Sequence, residues 1–172
     1  MFVPGLDWLR CVSQVLLLNK YLYQIHSFIH LIHYMNSVST TETCFESKAI
    51  HISYNKQKNF IHVEWKGFAS NSEYLEILTK QLQLTIQKQA DKILYDLRKM
   101  AVVSTENQKY TNEVYFPQMA QAGSKYAAIV IPENIFGQAS VNSILGKKNE
   151  ALFEAKLFNN HQAAIEWLSQ VN

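Results

Sequence analysis

The sequence is poor in the residues that punctuate or cross-link a chain, with 5 Gly, 3 Pro and 2 Cys in 172 residues. The two cysteines, Cys11 and Cys44, lie far apart and form no CxxC pair. That spacing excludes a disulfide framework and a cysteine zinc site, and a reducing, cytoplasmic compartment is the simpler expectation. Charge is also sparse: charged residues are 17% of the chain and the net charge is +2. The longest basic runs are the pairs Arg98–Lys99 and Lys147–Lys148. A nucleic-acid surface needs clustered Lys and Arg, so no nucleic-acid partner is expected. No P-loop, GxGxxG, GxSxG or HExxH occurs, which removes the common phosphate, dinucleotide, nucleophile-elbow and zinc-protease signatures. What is present is a 48% share of hydrophobic residues. A chain of this size buries roughly two-thirds of its unfolded surface and needs no metal or cofactor to fold, and none is expected.

The first 34 residues differ from the rest. Trp8–Tyr34 is rich in Leu, Ile and Tyr, but Lys20 sits near its middle. A spanning helix needs about 20 mostly apolar residues, so no stable membrane span is expected. The apolar core Val15–Leu18 is short and no small-x-small site follows it, which argues against a signal peptide. His26, His30 and His33 fall at i, i+4 and i+7, on one face of any helix formed there. That face suits a metal, or an incidental amphipathic segment; a structural site normally wants a fourth ligand, which favours the latter. From Met35 the sequence turns polar, as a flexible N-terminus would. Residues 1–46 are therefore expected to be an extension outside the core fold, with Met35 a candidate start, and residues 47–172 the domain.

Ala49–Tyr54 and Phe60–Trp65 alternate apolar and polar residues across the polar turn 55–59, which predicts a β-hairpin. Its polar positions include His51 and His62, read as surface histidines. Ser70 and Glu73 fit a capping box opening a helix from Asn71 to about Gln89, with Leu75, Leu78, Leu82 and Ile86 as its apolar stripe. Ile93–Asp96 is a short apolar run suited to a strand buried on both faces. Thr105 with Gln108 offers a second capping box, for a helix through about Ala122 that Pro117 should kink and Gly123 should end. Tyr126–Ile131 and Leu152–Phe158 read as strands, with a helix of 133–145 between them that Gly137 weakens. Asn160 caps a last helix with Ala164, Trp167, Leu168 and Val171 on one face. The order β-β-α-β-α-β-α-β-α predicts an α/β domain with a mixed, mostly parallel sheet.

Several of these segments resemble the SpoIIAA-like branch of the STAS-domain family (sulfate-transporter and anti-sigma-factor-antagonist domains). They are Val63-Glu64-Trp65-Lys66-Gly67, Leu94-Tyr95-Asp96, Ala127-Ala128-Ile129-Val130 and the closing Leu157–Leu168 with its final Trp-Leu. The resemblance spans about Ser47 to Val171. It implies helices mainly on one face of the sheet and a protein-binding or regulatory role. Some relatives are also likened to CRAL-TRIO lipid-binding domains. The family's antagonists carry a phosphorylatable Ser just after the third strand. Here Asp96 is followed by Leu97-Arg98-Lys99, and the nearest hydroxyls, Ser104 and Thr105, are better read as helix caps.

No catalytic set is visible, and His161 has no Ser or Cys partner in sequence. Asp96 is the carboxylate to watch, because strand C-termini in α/β sheets often face ligands, although its simpler role is to accept backbone N–H groups in the next turn. The leading expectation is a non-catalytic regulatory module that meets a protein partner through Asp96, Arg98, Lys99, Ser104 and Thr105. The alternative is a carrier for a small apolar or anionic ligand such as a lipid. Tyr110, Tyr115, Phe116 and Phe136 would then line the pocket, with Arg98 or Lys99 at a head group. An enzyme is the third reading, to be revived by converging polar groups.

Overall fold

The computed structural model describes residues 21–22, 24–28 and 40–171. The short segments 21–22 and 24–28 are helical and exposed, and belong to a unit of their own. His26 lies in them; His30, His33 and Met35 lie outside the described residues.

The sheet begins earlier than the alternating hairpin suggests. Thr41–Glu46 (β1) pairs antiparallel with Ile50–Asn55 (β2), with a bulge between Thr43 and Phe45. Phe45 packs on the core, and Glu42 is met by Lys88 Nζ at 3.0 Å and Lys56 Nζ at 3.3 Å. The folded unit therefore starts at Thr40, and residues 41–46 are not part of an extension. The segment Thr-Glu-Thr-Cys-Phe-Glu is an edge strand with no fully buried side chain. It carries little apolar pattern for sequence reasoning to find.

β2 pairs antiparallel with Phe60–Trp65 (β3). Three parallel strands follow: Lys92–Asp96 (β4), Tyr126–Val130 (β5) and Glu154–Phe158 (β6). Spatial order equals chain order, β1 to β6. The result is an α/β domain with a six-stranded mixed, mostly parallel sheet, as expected, with one strand more than the sequence pattern implied.

Sequential order has a consequence for the helices. Crossovers between neighbouring parallel strands share one hand, so crossovers that all step the same way carry their helices to the same face. The crossover helices are Asn71–Lys88 (α1), the run Thr105–Tyr110 (α2) with Phe116–Gln121 (α3), and Ile135–Leu145 (α4). Tyr74, Ile77 and Leu78 of α1, Tyr115, Phe116 and Met119, and Val141 and Ile144 of α4 share one core with Ile50, Ile52, Ile61, Val63, Ile93, Ala127 and Ile129. The other face carries His161–Gln170 (α5), whose Ala164 and Leu168 pack on Phe60, Leu94, Ala128 and Val130. Among the described residues, no helix is long and apolar enough to cross a membrane.

Local details correct the sequence reading. The capping box Ser70/Glu73 is present. The buried face of α1, however, is Tyr74, Ile77, Leu78, Gln81 and Thr85, and Ile86 is 58% exposed. Thr85 Oγ1 donates to Gln81 O at 2.9 Å and Gln81 Oε1 accepts from Tyr115 Oη at 2.8 Å, so hydrogen-bonding residues take core positions that an apolar stripe does not reveal. The α2 cap is Ser104, not Thr105: Ser104 Oγ accepts from Asn107 N at 3.3 Å. The distortion near Pro117 comes a turn early, as a π-turn over Thr111–Tyr115 in which the Phe116 N–H reaches back to Thr111 O. The widened turn makes room for a proline ring that a regular helix would crowd. Gly123, at φ 96°, ends α3, with Ser124 N on Met119 O and Gly123 N on Ala120 O, both at 3.0 Å. These are the two bonds of a Schellman ending. Asn160 caps α5 as expected, accepting from Ala163 N at 2.8 Å.

Gly137 is explained by packing rather than by helix weakness. A Cβ there would sit 2.7 Å from Met100 O and 2.8 Å from Pro132 Cβ. Helix propensity alone would make Gly137→Ala stabilising by up to about 1 kcal/mol. The overlap with backbone reverses the sign, and we expect a loss of about 1–3 kcal/mol. A urea denaturation midpoint that rises in this variant would refute the close approach.

Candidate functional site

The end of the sheet at which Asp96 lies is built by the loops leaving β3, β4 and β5. Asp96, the last residue of β4, is 3% exposed. Its carboxylate accepts from Arg98 Nε at 2.9 Å (Oδ1), from an Arg98 terminal nitrogen at 2.6 Å (Oδ2) and from the Arg98 backbone N–H at 3.3 Å (Oδ1). Burial alone would raise the Asp96 pKa. The Arg98 hydrogen bonds and charge outweigh it and hold the group below the ordinary carboxylate value. This bidentate fork fixes the first turn of the loop. The loop is then tied to α4. Glu133 N donates to Arg98 O at 3.0 Å, Asn134 Nδ2 to Met100 O at 2.7 Å and Val103 N to Ser140 Oγ at 3.1 Å.

Of the five residues the sequence singled out, Asp96 and Arg98 are joined and Lys99 is exposed beside them. Ser104 and Thr105 lie at the far end of the loop; Ser104 is occupied as a cap and Thr105 is exposed. Ser104 also lines a 140 Å³ groove with Trp65, Phe68, Ala69, Asn71, Val102 and others, between the β3–α1 and β4–α2 loops. Large apolar side chains stand exposed around this end: Phe68 (69%), Val102 (54%), Ile135 (73%) and Phe136 (70%).

Two residues that the sequence did not connect complete the neighbourhood of Asp96. His62 lies on β3, on the face opposite the main core, and His161 opens α5 on the same face. Their Nε2 atoms are 3.4 Å apart and their ring centroids 5.1 Å. One ligand-type atom each from His62, Asp96 and His161 lies within 4.8 Å of the others. Burial, then the neighbouring His161, lower the His62 pKa to about 4 against the opposing pull of Asp96 and Glu64. His62 is thus a neutral imidazole at neutral pH and only half-exposed, not the surface histidine its polar strand position suggested. The two histidines are 99 residues apart, and nothing local in either segment signals the meeting.

A second feature lies between the sheet and the main helical layer. It is a cavity of about 70 Å³ lined by Trp65, Tyr74, Tyr95, Tyr115, Phe116, Phe153 and aliphatic neighbours. Tyr115 and Phe116 thus reach the pocket they were expected to line. Tyr110 packs against the core at its edge, and Phe136 is exposed elsewhere. A cavity of about 150 Å³ takes benzene, so this one admits a few heavy atoms and not an acyl chain. Tyr115 Oη donates to Gln81 Oε1 at 2.8 Å, and Tyr95 Oη lies 3.1 Å from Tyr115 Oη. Because the Tyr115 proton goes to Gln81, Tyr95 donates to Tyr115. Burial raises the pKa of both phenols, so both stay neutral. Gln81 Nε2 is buried with no hydrogen-bond partner among the described residues.

The fold and these two sites define a small α/β domain with a sequentially ordered sheet. No known family model, curated protein or solved structure matches this chain.

Tyr115→Phe removes the middle of the Tyr95–Tyr115–Gln81 chain. It orphans one buried donor and one buried acceptor, and we expect a loss of about 1–3 kcal/mol. Equal denaturation midpoints for variant and parent would show that the chain contributes nothing.

Proposed function

We propose that this domain is a non-catalytic regulatory module that binds a protein partner through the end of the sheet where β3, β4 and β5 release their loops. The observation that carries this reading is the set of exposed apolar side chains there. Of the large apolar side chains exposed in residues 40–171, Phe68, Val102, Ile135 and Phe136 stand on these three loops and the start of α4, and only Ile86 and Leu157 stand elsewhere. Exposing large apolar groups together is unfavourable in water unless a partner covers them. The surface they form is held rigid by the Asp96–Arg98 fork and the bonds to α4, so little ordering entropy is lost on docking. The groove between Phe68 and Val102 suits one apolar side chain of the partner, and exposed Lys99, next in sequence to Met100 of its lining, suits an acidic neighbour. The resemblance to STAS-type modules points the same way, since their regulatory surface follows the corresponding strand. The Ser expected there is absent, so this reading includes no phosphorylation switch.

The buried cavity supports a second reading, a carrier for a small apolar molecule with one hydrogen-bond acceptor. Its supporting observation is the unpartnered Gln81 Nε2 facing an apolar space. Native mass spectrometry separates the two readings, because a carrier retains a small adduct that Gln81→Leu loses.

For the docking surface, the double variant Phe68→Ser/Val102→Ser keeps the fold, because both side chains are already exposed. Against a partner that binds the parent chain stoichiometrically, it should lose at least about tenfold in affinity, as buried apolar anchors do. A partner whose affinity is unchanged in this variant, measured by calorimetry, would place the interface elsewhere.

A further inference from the structure

The geometry points to a divalent transition-metal site formed by His62, Asp96 and His161, with Zn²⁺ the chemistry it fits best. Three observations carry it. First, the donor atoms converge from three separate elements, β3, the end of β4 and the start of α5, to within 4.8 Å of one another. Second, the two imidazole nitrogens are 3.4 Å apart. In a tetrahedral centre with Zn–N bonds of 2.0–2.1 Å, neighbouring nitrogens are about 3.3–3.4 Å apart, so this edge is already set. Third, Asp96 has capacity left. A carboxylate offers about four lone-pair directions, and three hydrogen bonds from Arg98 occupy this one.

The ligand set also selects the ion. Two imidazoles and one carboxylate suit Zn²⁺, Co²⁺, Ni²⁺ or Fe²⁺ and disfavour Mg²⁺ and Ca²⁺, which prefer all-oxygen shells. Three protein ligands leave a fourth position for water, the arrangement of open rather than purely structural zinc sites. Arg98 acts as a positioning residue. Its fork fixes the orientation of the Asp96 carboxylate, the outer-shell role that ligating carboxylates ordinarily require. The local charge is compatible, because Glu64 pairs across the sheet with Asp96 and adds a second negative group to balance Arg98. Asp96 is common to this site and to the loop below the apolar surface, but the assignment rests on the histidine–carboxylate geometry and not on the docking reading.

The test is Co²⁺ titration of the full chain, followed by its ligand-field absorption. It uses a His26→Ala/His30→Ala/His33→Ala background, so that the separate histidine row near the N-terminus does not contribute. One equivalent should bind, with absorption bands of a low-coordinate nitrogen and oxygen site. Zn²⁺ should displace it and raise the thermal midpoint. His161→Ala and His62→Gln should each weaken binding at least about tenfold, while His51→Ala, on the neighbouring strand, should leave it unchanged. His161 sits half-exposed in the first turn of α5, so its variant keeps the fold even if that of His62 does not, and far-UV circular dichroism checks this. Absence of saturable one-equivalent binding in the background chain would overturn the assignment. So would equal affinity in His161→Ala, or an equal loss in His51→Ala.

Discussion

Three parallel crossovers that step in one direction along the sheet decide where everything else in this domain can go. With crossovers of a single hand, α1, the α2–α3 run and α4 all fall on one face. That face becomes the main core, and the opposite face is left for α5, which within residues 40–171 is not a crossover. The strand order never reverses. The sheet therefore lacks the switch-point crevice in which doubly wound folds place their ligands. Among the described residues, polar groups converge in two other places: inside the main core and beside the N-terminus of α5.

The inner place is a compromise in packing. A π-turn lets the chain carry Pro117 and swings Tyr115 inward. Two phenols and an amide then share a line of hydrogen bonds inside an otherwise apolar layer. Such a line is tolerated because each hydroxyl is satisfied, and the single unsatisfied amide nitrogen of Gln81 marks where it stops. Removing one of these groups costs more than the bond itself is worth, because its neighbours remain buried.

The outer place depends on a short carboxylate fork. Asp96 and Arg98 turn the chain out of β4 and hold the loop that follows. The same carboxylate lies within 4.8 Å of ligand nitrogens of His62 and His161. One group therefore links the β4–α2 loop to the histidine pair. The apolar side chains Phe68, Val102, Ile135 and Phe136 stand around a loop whose backbone is already bonded to α4, so that end of the domain offers a preformed surface.

Much of this was written locally. Period-2 alternation marked β2 and β3, Ser70 with Glu73 and Asn160 marked helix starts, and Gly123 marked a helix end, because each depends on neighbours within a few residues. Strand β1 was not legible, since an edge strand with no buried side chain needs little apolar pattern. The true face of α1 was not legible either, because Gln81 and Thr85 are buried on hydrogen bonds rather than on hydrophobicity. Asp96 and Arg98 stood out by their place at a strand end. Their company did not, because His62 and His161 occupy polar positions of two ordinary amphipathic segments. The sequence by itself determined the α/β class, most element boundaries and the absence of local catalytic signatures. Only the tertiary structure decided which polar side chains meet, because the order of strands across a sheet brings together residues that no local interaction connects.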